Sequence, residues 1–277
     1  MTNLIKDIEQ VLVIGATGKT GSRVCKRLSK LLSPEKVKPA SLHSDICFDW
    51  QNSDTWHTAL NGVSHVYLTY FPDLALPIAT EHIRAFCKLA LQQEVQHVTL
   101  LSGRGEPAAQ ECEDILIHSG LNWTVVRASW FSQNFSDGLF KSFIESGQIR
   151  LPVNQVKEPF VDIDDIAEVV VQSMVDIKHR NTLYEVTGPE LLTFADIASQ
   201  FTKVLGKPVY FQSITPDEFE SGMSAAHVPK EVTDLLLFLF TEVLDGRNEY
   251  ITDGIEQALG RKAKSFSAFI ESNRACF

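Results

Sequence analysis

The sequence predicts an α/β fold, a Rossmann-like doubly wound parallel sheet with a smaller C-terminal α/β lobe, on two observations. Short, nearly continuous apolar runs alternate with helix-length segments through the first half of the chain. The first run, VLVIG at 11–15, leads directly into glycines at 15, 18 and 21. Continuous apolar runs suit strands buried on both faces, as in parallel sheets, and strand–helix alternation implies right-handed crossovers between them.

The strands expected in order are Val11–Gly15, Val37–Leu42, a short one within ICFDW at 46–50, Val63–Thr69, His97–Ser102 and Thr124–Ala128. Between them lie helices at Lys19–Leu32, a helical turn at Ser53–Leu60, and helices at Asp73–Gln92 and Pro107–Ser119, the last closed by Gly120 as a C-cap. After about residue 130 the pattern loosens. A strand is expected at Phe160–Asp162, an acid-led helix at Asp164–Asp176, and a strand at Tyr184–Val186. A helix at Thr193–Leu205, a strand at Val209–Gln212 and helices at 215–221 and 229–244 follow.

The 277 residues are 44% apolar, enough for one large domain or a domain with a small appendage. A formal charge of −10 with no basic stripe argues against nucleic acid as a partner. Five scattered cysteines without a C-x-x-C pair argue against a zinc site or a disulfide framework and fit a reducing compartment. MTNLIKDIEQ carries charges where a signal peptide needs an apolar run, and LLLFLF at 235–240 is too short to span a bilayer. A cytoplasmic protein without a membrane partner is expected.

Gly15, Gly18 and Gly21 stand between a strand and a helix at the start of a βαβ unit. In that setting the first permits a tight turn, the second lets backbone approach a pyrophosphate, and the third lets helix and strand pack closely. The helix N-terminus adds N–H groups and partial positive charge. A dinucleotide cradle is therefore expected, in an NAD(P)-binding domain over 1–150. Residues 151–277 would contribute to its sheet and to a small substrate-binding lobe covering the carboxyl edge. At the end of the second strand, ASLHSD has no carboxylate before Asp45, and offers His43 and Ser44 where a 2′-phosphate would sit. With Lys19 as a second partner, NADP is expected, NAD being the alternative.

Several segments carry a family likeness: GATGKTG, FDW at 48–50, VYLTYFPD at 66–73, SGLNWTVVRASWFSQNF at 119–135, PFVDIDDIAEVV at 159–170, GPELLTFADIA at 188–198 and GRKAKSFSAF at 260–269. From about residue 10 to 270 the chain resembles the NmrA-like, atypical short-chain dehydrogenases, within them the ergot-alkaloid (agroclavine and festuclavine) dehydrogenase-like subgroup. The resemblance implies NAD(P) contacts at Gly15, Thr17, Gly18, Lys19, Thr20 and Gly21. It also implies Asp49 and Trp50 flanking the adenine, and Thr69, Tyr70, Ser102 and Gly103 lining the ribose and nicotinamide. Trp50 has a second reading, a hydrophobic plug beneath the loop. Arg127-Ala128 replaces the family's usual Arg-Pro, and SGRGE at 102–106 is more glycine-rich and charged than the family pattern.

The usual short-chain dehydrogenase relay, Tyr-x-x-x-Lys, is absent. Four residues after Tyr67, Tyr70, Tyr184, Tyr210 and Tyr250 stand Phe71, Leu74, Gly188, Ile214 and Gly254. Two reductions need no such relay. Hydride delivered to an iminium carbon neutralises the nitrogen, and hydride delivered to a quinone leaves a stabilised anion that water protonates. Tyr70 and Ser102 are the candidate catalytic residues. Trp130, Phe131 and Phe135 are the candidate wall for a small aromatic substrate. Eight histidines form no H-x-x-x-H or H-E-x-x-H, there is no G-x-S-x-G elbow, and Asp162, Asp164 and Asp165 read as helix-start acids. The alternative to an oxidoreductase is a redox sensor that binds dinucleotide without turnover.

Overall fold

The computed structural model describes residues 8–138 and 140–277; most of the N-terminal stretch read above for a leader lies outside the described residues. The strands are β1 (Val11–Ile14), β2 (Val37–Ser41), β3 (Ile46–Cys47), β4 (His65–Leu68), β5 (His97–Gly103), β6 (Asn122–Ala128), β7 (Gln148–Leu151), β8 (Thr182–Val186) and β9 (Tyr210–Ser213). Seven of them form one sheet, β3-β2-β1-β4-β5-β6-β8, with every pairing parallel. β7 and β9 pair separately, also in parallel. The helices are α1 (Lys19–Leu31), α2 (Asp54–Leu60), α3 (Ala79–Gln92), α4 (Pro107–Ile117), α5 (Lys141–Ser146) and α6 (Ile163–Val175). They continue with α7 (Phe194–Leu205), α8 (Pro216–Ala225), α9 (Lys230–Phe238), α10 (Gly254–Leu259) and α11 (Phe266–Ser272).

The doubly wound sheet follows from the apolar runs: β1 and β4 are buried at every position, because helices cover both faces. Leu12, Val66, Leu68, Val98 and Leu100 point to one face and share a core with Trp56, Ile83, Phe86 and Leu116. Three expectations change. Phe160–Asp162 makes only a single bridge, Phe131 to Val161, since no partner strand lies alongside. The stretch 73–78 is not helical; Pro77 interrupts it, and α3 starts at Ala79. Gly120 (φ +91°) forms the turn after the helix, whose C-cap is His118.

Two compact units divide the chain. One comprises Met1–Ala128, Ile163–Val186 and Asp253–Lys262, the other Ser129–Asp162, Thr187–Thr252 and Ala263–Phe277. The boundary expected at 150 therefore moves to the end of β6, and residues 129–150 go with the second unit. The core there is phenylalanine-rich: Phe135, Phe140, Phe160, Phe194, Phe201, Phe219, Phe240, Phe266 and Phe269 pack together. α9 runs on into a π-helical turn, Leu239–Val243, where the Leu244 N–H donates to Leu239 O. Among the described residues no helix is long and apolar enough to cross a membrane.

At the amino ends of β4, β5 and β8 three buried histidines gather. His65 Nδ1 lies 3.0 Å from Ser64 Oγ, His97 Nε2 3.2 Å from Thr124 Oγ1, and His179 Nδ1 2.7 Å from Tyr184 Oη. Burial, aided by the nearby Arg180 charge, holds His65 down to about 4; burial and its cationic neighbours hold His97 down to about 3. Both rings are neutral in folded and unfolded chains above about pH 6.5. Below that, the unfolded chain binds protons that the folded one refuses, so stability falls as pH falls. At about 1.4 kcal/mol per pH unit for each ring, His97 alone removes about 2 kcal/mol between pH 6.5 and 5. In urea titrations at pH 7 and 5, His97→Asn is expected to lose about 2 kcal/mol less than the parent. Equal losses would mean that the ring is not buried neutral.

Candidate active site

The glycine loop begins where β1 ends. Gly15 has φ +71°, and a Cβ there would stand 2.6 Å from Thr69 Cγ2. The Gly18 N–H donates to Gly15 O at 2.9 Å, closing the turn. A Cβ on Gly21 would stand 2.2 Å from that same carbonyl oxygen, so only glycine lets α1 pack this close to the turn. Gly18 is the N-cap of α1; it has no side-chain cap, and the first turn carries no acid. By contrast, α7, α8 and α11 are capped by Thr193, Thr215 and Ser265. The positive end of α1 thus receives no negative group from its own first turn, and Thr17 and Gly18 beside it are exposed.

Thr20 departs from its expected role. Its Oγ1 accepts the Tyr67 hydroxyl at 2.8 Å and is buried, so the side chain faces the sheet and only its backbone stays at the helix mouth. Lys19 is half-buried, and its carbonyl accepts the Arg23 guanidinium at 2.8 Å. Beyond β2, His43 is exposed and Ser44 half-buried, with the Ser41 and Ser44 hydroxyls bonded to each other.

Asp49 and Trp50 both make contacts within the fold. The Asp49 carboxylate accepts the Gln51 N–H at 2.9 Å, and its carbonyl accepts the Trp56 indole N–H at 2.7 Å. The Trp50 ring is buried among Phe48, Trp56, Tyr70 and Phe86, with centroids 4.7–5.8 Å away, and its N–H donates to Thr69 O at 3.2 Å. Of the two readings of Trp50, the geometry supports the plug. It fixes the Thr69–Tyr70 segment at the carboxyl end of β4.

Tyr70 is buried, and its hydroxyl lies 2.7 Å from His82 Nδ1; burial raises its pKa. At the end of β5, Ser102 is buried, and its Oγ has no hydrogen-bond partner among the described residues. Next to it lies a pair that the sequence reading missed. Glu106 packs its carboxyl on Gly103, whose Cβ would stand 2.4 Å from Glu106 Oε1, and hydrogen-bonds to Asp73. Burial, with the Asp73 charge beside it, pushes Glu106 up to about 8. The charged SGRGE loop was the only signal, because Asp73 is remote in sequence.

Behind this end of the sheet runs an ionic chain. Arg104 Nε lies 2.8 Å from Glu185 Oε1, Arg127 Nη1 lies 3.6 Å from Glu185 Oε2, and Arg127 grips Glu113 through Nε at 3.0 Å and again through Nη2. The helix-start acids are also ion-paired. Asp164 meets Arg27 at 2.6 Å, Asp165 meets Arg261 at 2.8 Å, and Asp162 meets Lys264 at 3.7 Å.

In the second unit, Trp130 is half-buried, stacked on Phe140 and 5.4 Å from Phe240, and Phe131 is half-buried. Phe135 cannot wall a substrate. It is 0% exposed, enclosed by Phe140, Phe160, Phe194, Phe201 and Phe266, because the residues after β6 turn into that core. A cleft of about 840 Å³ in this unit is lined by Val153, Phe240 and Leu244 with Glu218, Asp245 and Glu249. Each of those acids is already bonded, to Thr215, Arg247 and the Lys157 N–H respectively.

The NmrA-like family profile matches residues 110–271. An NAD(P)H azoreductase of Xenophilus azovorans is 26% identical, the match covering 96% of this chain and 99% of that one. An agroclavine dehydrogenase of Claviceps fusiformis is 28% identical over 95% and 97%. The crystal structure of an NADPH-dependent quinone oxidoreductase of Escherichia coli, complexed with NADPH, superposes with a TM-score of 0.80 at 19% identity, covering 96% of this chain and 99% of that one.

Proposed function

Because the chain belongs to the NmrA-like family, we propose that it is an NAD(P)-dependent oxidoreductase that reduces a small cyclic acceptor of the iminium or quinone type without a Tyr-x-x-x-Lys relay. The observation that carries this is the open N-terminus of α1, uncapped, free of acids in its first turn and flanked by glycines with no side chain in the way. The backbone of Gly15, Thr17, Gly18, Lys19, Thr20 and Gly21 would hold the pyrophosphate. His43, Ser44 and Lys19 would meet a 2′-phosphate, which favours NADPH over NADH. Thr69, Ser102 and Gly103 would line the ribose and nicotinamide at the carboxyl ends of β4 and β5, where open α/β sheets bind ligands. When bound, the reduced nicotinamide supplies a hydride. The protein's own part is positioning and exclusion of water: Trp50 and Tyr70 seal the floor, and Tyr70 stays tied to His82. Azo, quinone and dehydrogenase chemistry in the similar proteins supports a reductase.

The test is Gly18→Val. Gly18 has φ −79°, and its Cβ would stand 3.2 Å from Gly15 O, so a side chain fits with a small shift and projects toward the helix mouth. Losing two or more charge-assisted hydrogen bonds at about 1.5–3 kcal/mol each is expected to weaken NADPH binding by calorimetry more than about 100-fold, with the melting temperature nearly unchanged. Unchanged affinity would reduce the glycine loop to a turn. NADPH binding by the parent without oxidation by any quinone or iminium acceptor would instead favour the sensor.

A further inference from the structure

We infer that Glu106, packed on Gly103 at the carboxyl end of β5 and hydrogen-bonded to Asp73, is a catalytic acid that protonates the acceptor's heteroatom as hydride arrives. The inference rests on the reductase reading above and adds to it a proton source and an acceptor preference. Three observations support it. The two carboxyls come from different loops, after β4 and after β5, and meet beside the strand ends that line the proposed nicotinamide site. Like charges in contact cannot both ionise, so the pair retains one proton. The Asp73 Oδ1 accepts the Ala75 N–H at 2.8 Å, which holds this carboxyl in place beside Glu106. Independently, the Ser102 hydroxyl is buried and without a partner among the described residues. By the two-residue period of β5 it shares the face of Val98 and Leu100, the face to which Tyr70 and Leu74 also belong. A buried hydroxyl at the end of β5 without a partner among the described residues is a group waiting for a ligand atom.

The chemistry balances. A quinone gains two electrons and one proton as hydride, the reduced dinucleotide being oxidised, and becomes an oxyanion. The Glu106 O–H bond breaks as the hydroquinone O–H forms. Glu106 is left as a carboxylate beside Asp73 and recovers its proton from solvent. An azo nitrogen is protonated in the same way. An iminium needs no proton, because hydride alone makes it an amine. Glu106 therefore favours acceptors that end as anions.

The group facing Glu106 is Asp73, from the segment after β4; on the same strand-end loops, Tyr70 bonds His82 of α3 with Cys112 of α4 nearby, and Arg104 pairs with Glu185. Since Glu106 must be protonated to act, quinone turnover is expected to fall as pH rises through about 8. In Asp73→Asn the neighbouring charge is gone, and that limb is expected to move to lower pH. In Glu106→Gln the ratio of kcat for benzoquinone to kcat for an N-alkyl iminium is expected to fall by about 10²- to 10⁴-fold, the usual contribution of a general acid. The readout independent of turnover is carbon-13 NMR of glutamate-labelled protein: one side-chain carboxyl still protonated at pH 7, lost in Glu106→Gln and titrating lower in Asp73→Asn. An active parent whose acceptor ratio is untouched by Glu106→Gln, or a Glu106 carboxyl ionised at pH 7, would overturn the inference alone. A parent that reduces neither acceptor would overturn the reductase reading and the inference with it.

Discussion

Glu113→Ala is expected to destabilise the protein by about 3–5 kcal/mol, measured as a shift of the urea midpoint at constant slope. The Glu113 side chain is 1% exposed and takes two hydrogen bonds from Arg127. Arg127 also faces Glu185, which in turn neutralises the 1% exposed Arg104. Two guanidiniums and two carboxylates thus balance at the ends of β5, β6 and β8. Deleting Glu113 takes from the largely buried Arg127 the carboxylate that grips it at two points, and the penalty is that of a buried charge losing its partner. Glu113→Leu combined with Arg127→Met restores neutrality and apolar volume, so the pair is expected to recover more than half of the loss. A single-variant cost under about 1 kcal/mol would show that the pair is solvated like a surface salt bridge.

Gly21→Ala is expected to cost about 3 kcal/mol, the upper end for overpacking, and Gly21→Val more, because the obstacle is backbone. The Gly15 carbonyl oxygen, 2.2 Å from the added Cβ, ends β1 and closes the loop. Relief requires moving α1, which Arg23 and Arg27 tie to Asp164 of α6. The contrast with Gly18 is the informative part. Three residues apart in one loop, one glycine serves the fold and the other leaves space beside the helix mouth. Thermal unfolding separates them: a melting temperature lowered by several degrees for Gly21→Ala and held for Gly18→Val. Equal melting temperatures for the two would mean that α1 does not pack on the turn as closely as described.

The large sheet was legible because each buried parallel strand announces itself locally, as VLVI and HVYL do. β7 escaped notice because QIRL alternates exposed and buried residues over only four positions, and its partner β9 lies some sixty residues on. The glycine loop was legible for the same local reason. The direction of the Thr20 hydroxyl was not, since it depends on Tyr67, nor was the pairing of Glu106 with Asp73. Both are set by strands that become neighbours only in the folded sheet. Phe135 misled because an aromatic just past a strand end reads alike whether it faces a substrate or a core. Nothing near it in sequence reveals the four distant phenylalanines, Phe160, Phe194, Phe201 and Phe266, that help to enclose it.

The first unit is assembled from three stretches of chain, and this bears on how it is born on the ribosome. Translation proceeds at about 5–20 residues per second, so roughly 130 further residues, or about 7–26 s, separate the emergence of Ala128 from that of Lys262. For the first part of that interval, until Thr182–Val186 emerges, β6 has no β8 on its outer side, and its unpaired backbone is an open template for another nascent chain. The sheet face later covered by α6, ten of whose thirteen residues end up buried, is bare until Ile163–Val175 has emerged. α10 arrives last; its Gly254 leaves no room for a Cβ, which would stand 2.1 Å from the Glu185 carbonyl oxygen of β8. A ribosome stalled before residue 253 therefore releases a sheet without its final clasp, the kind of nascent chain on which chaperones act.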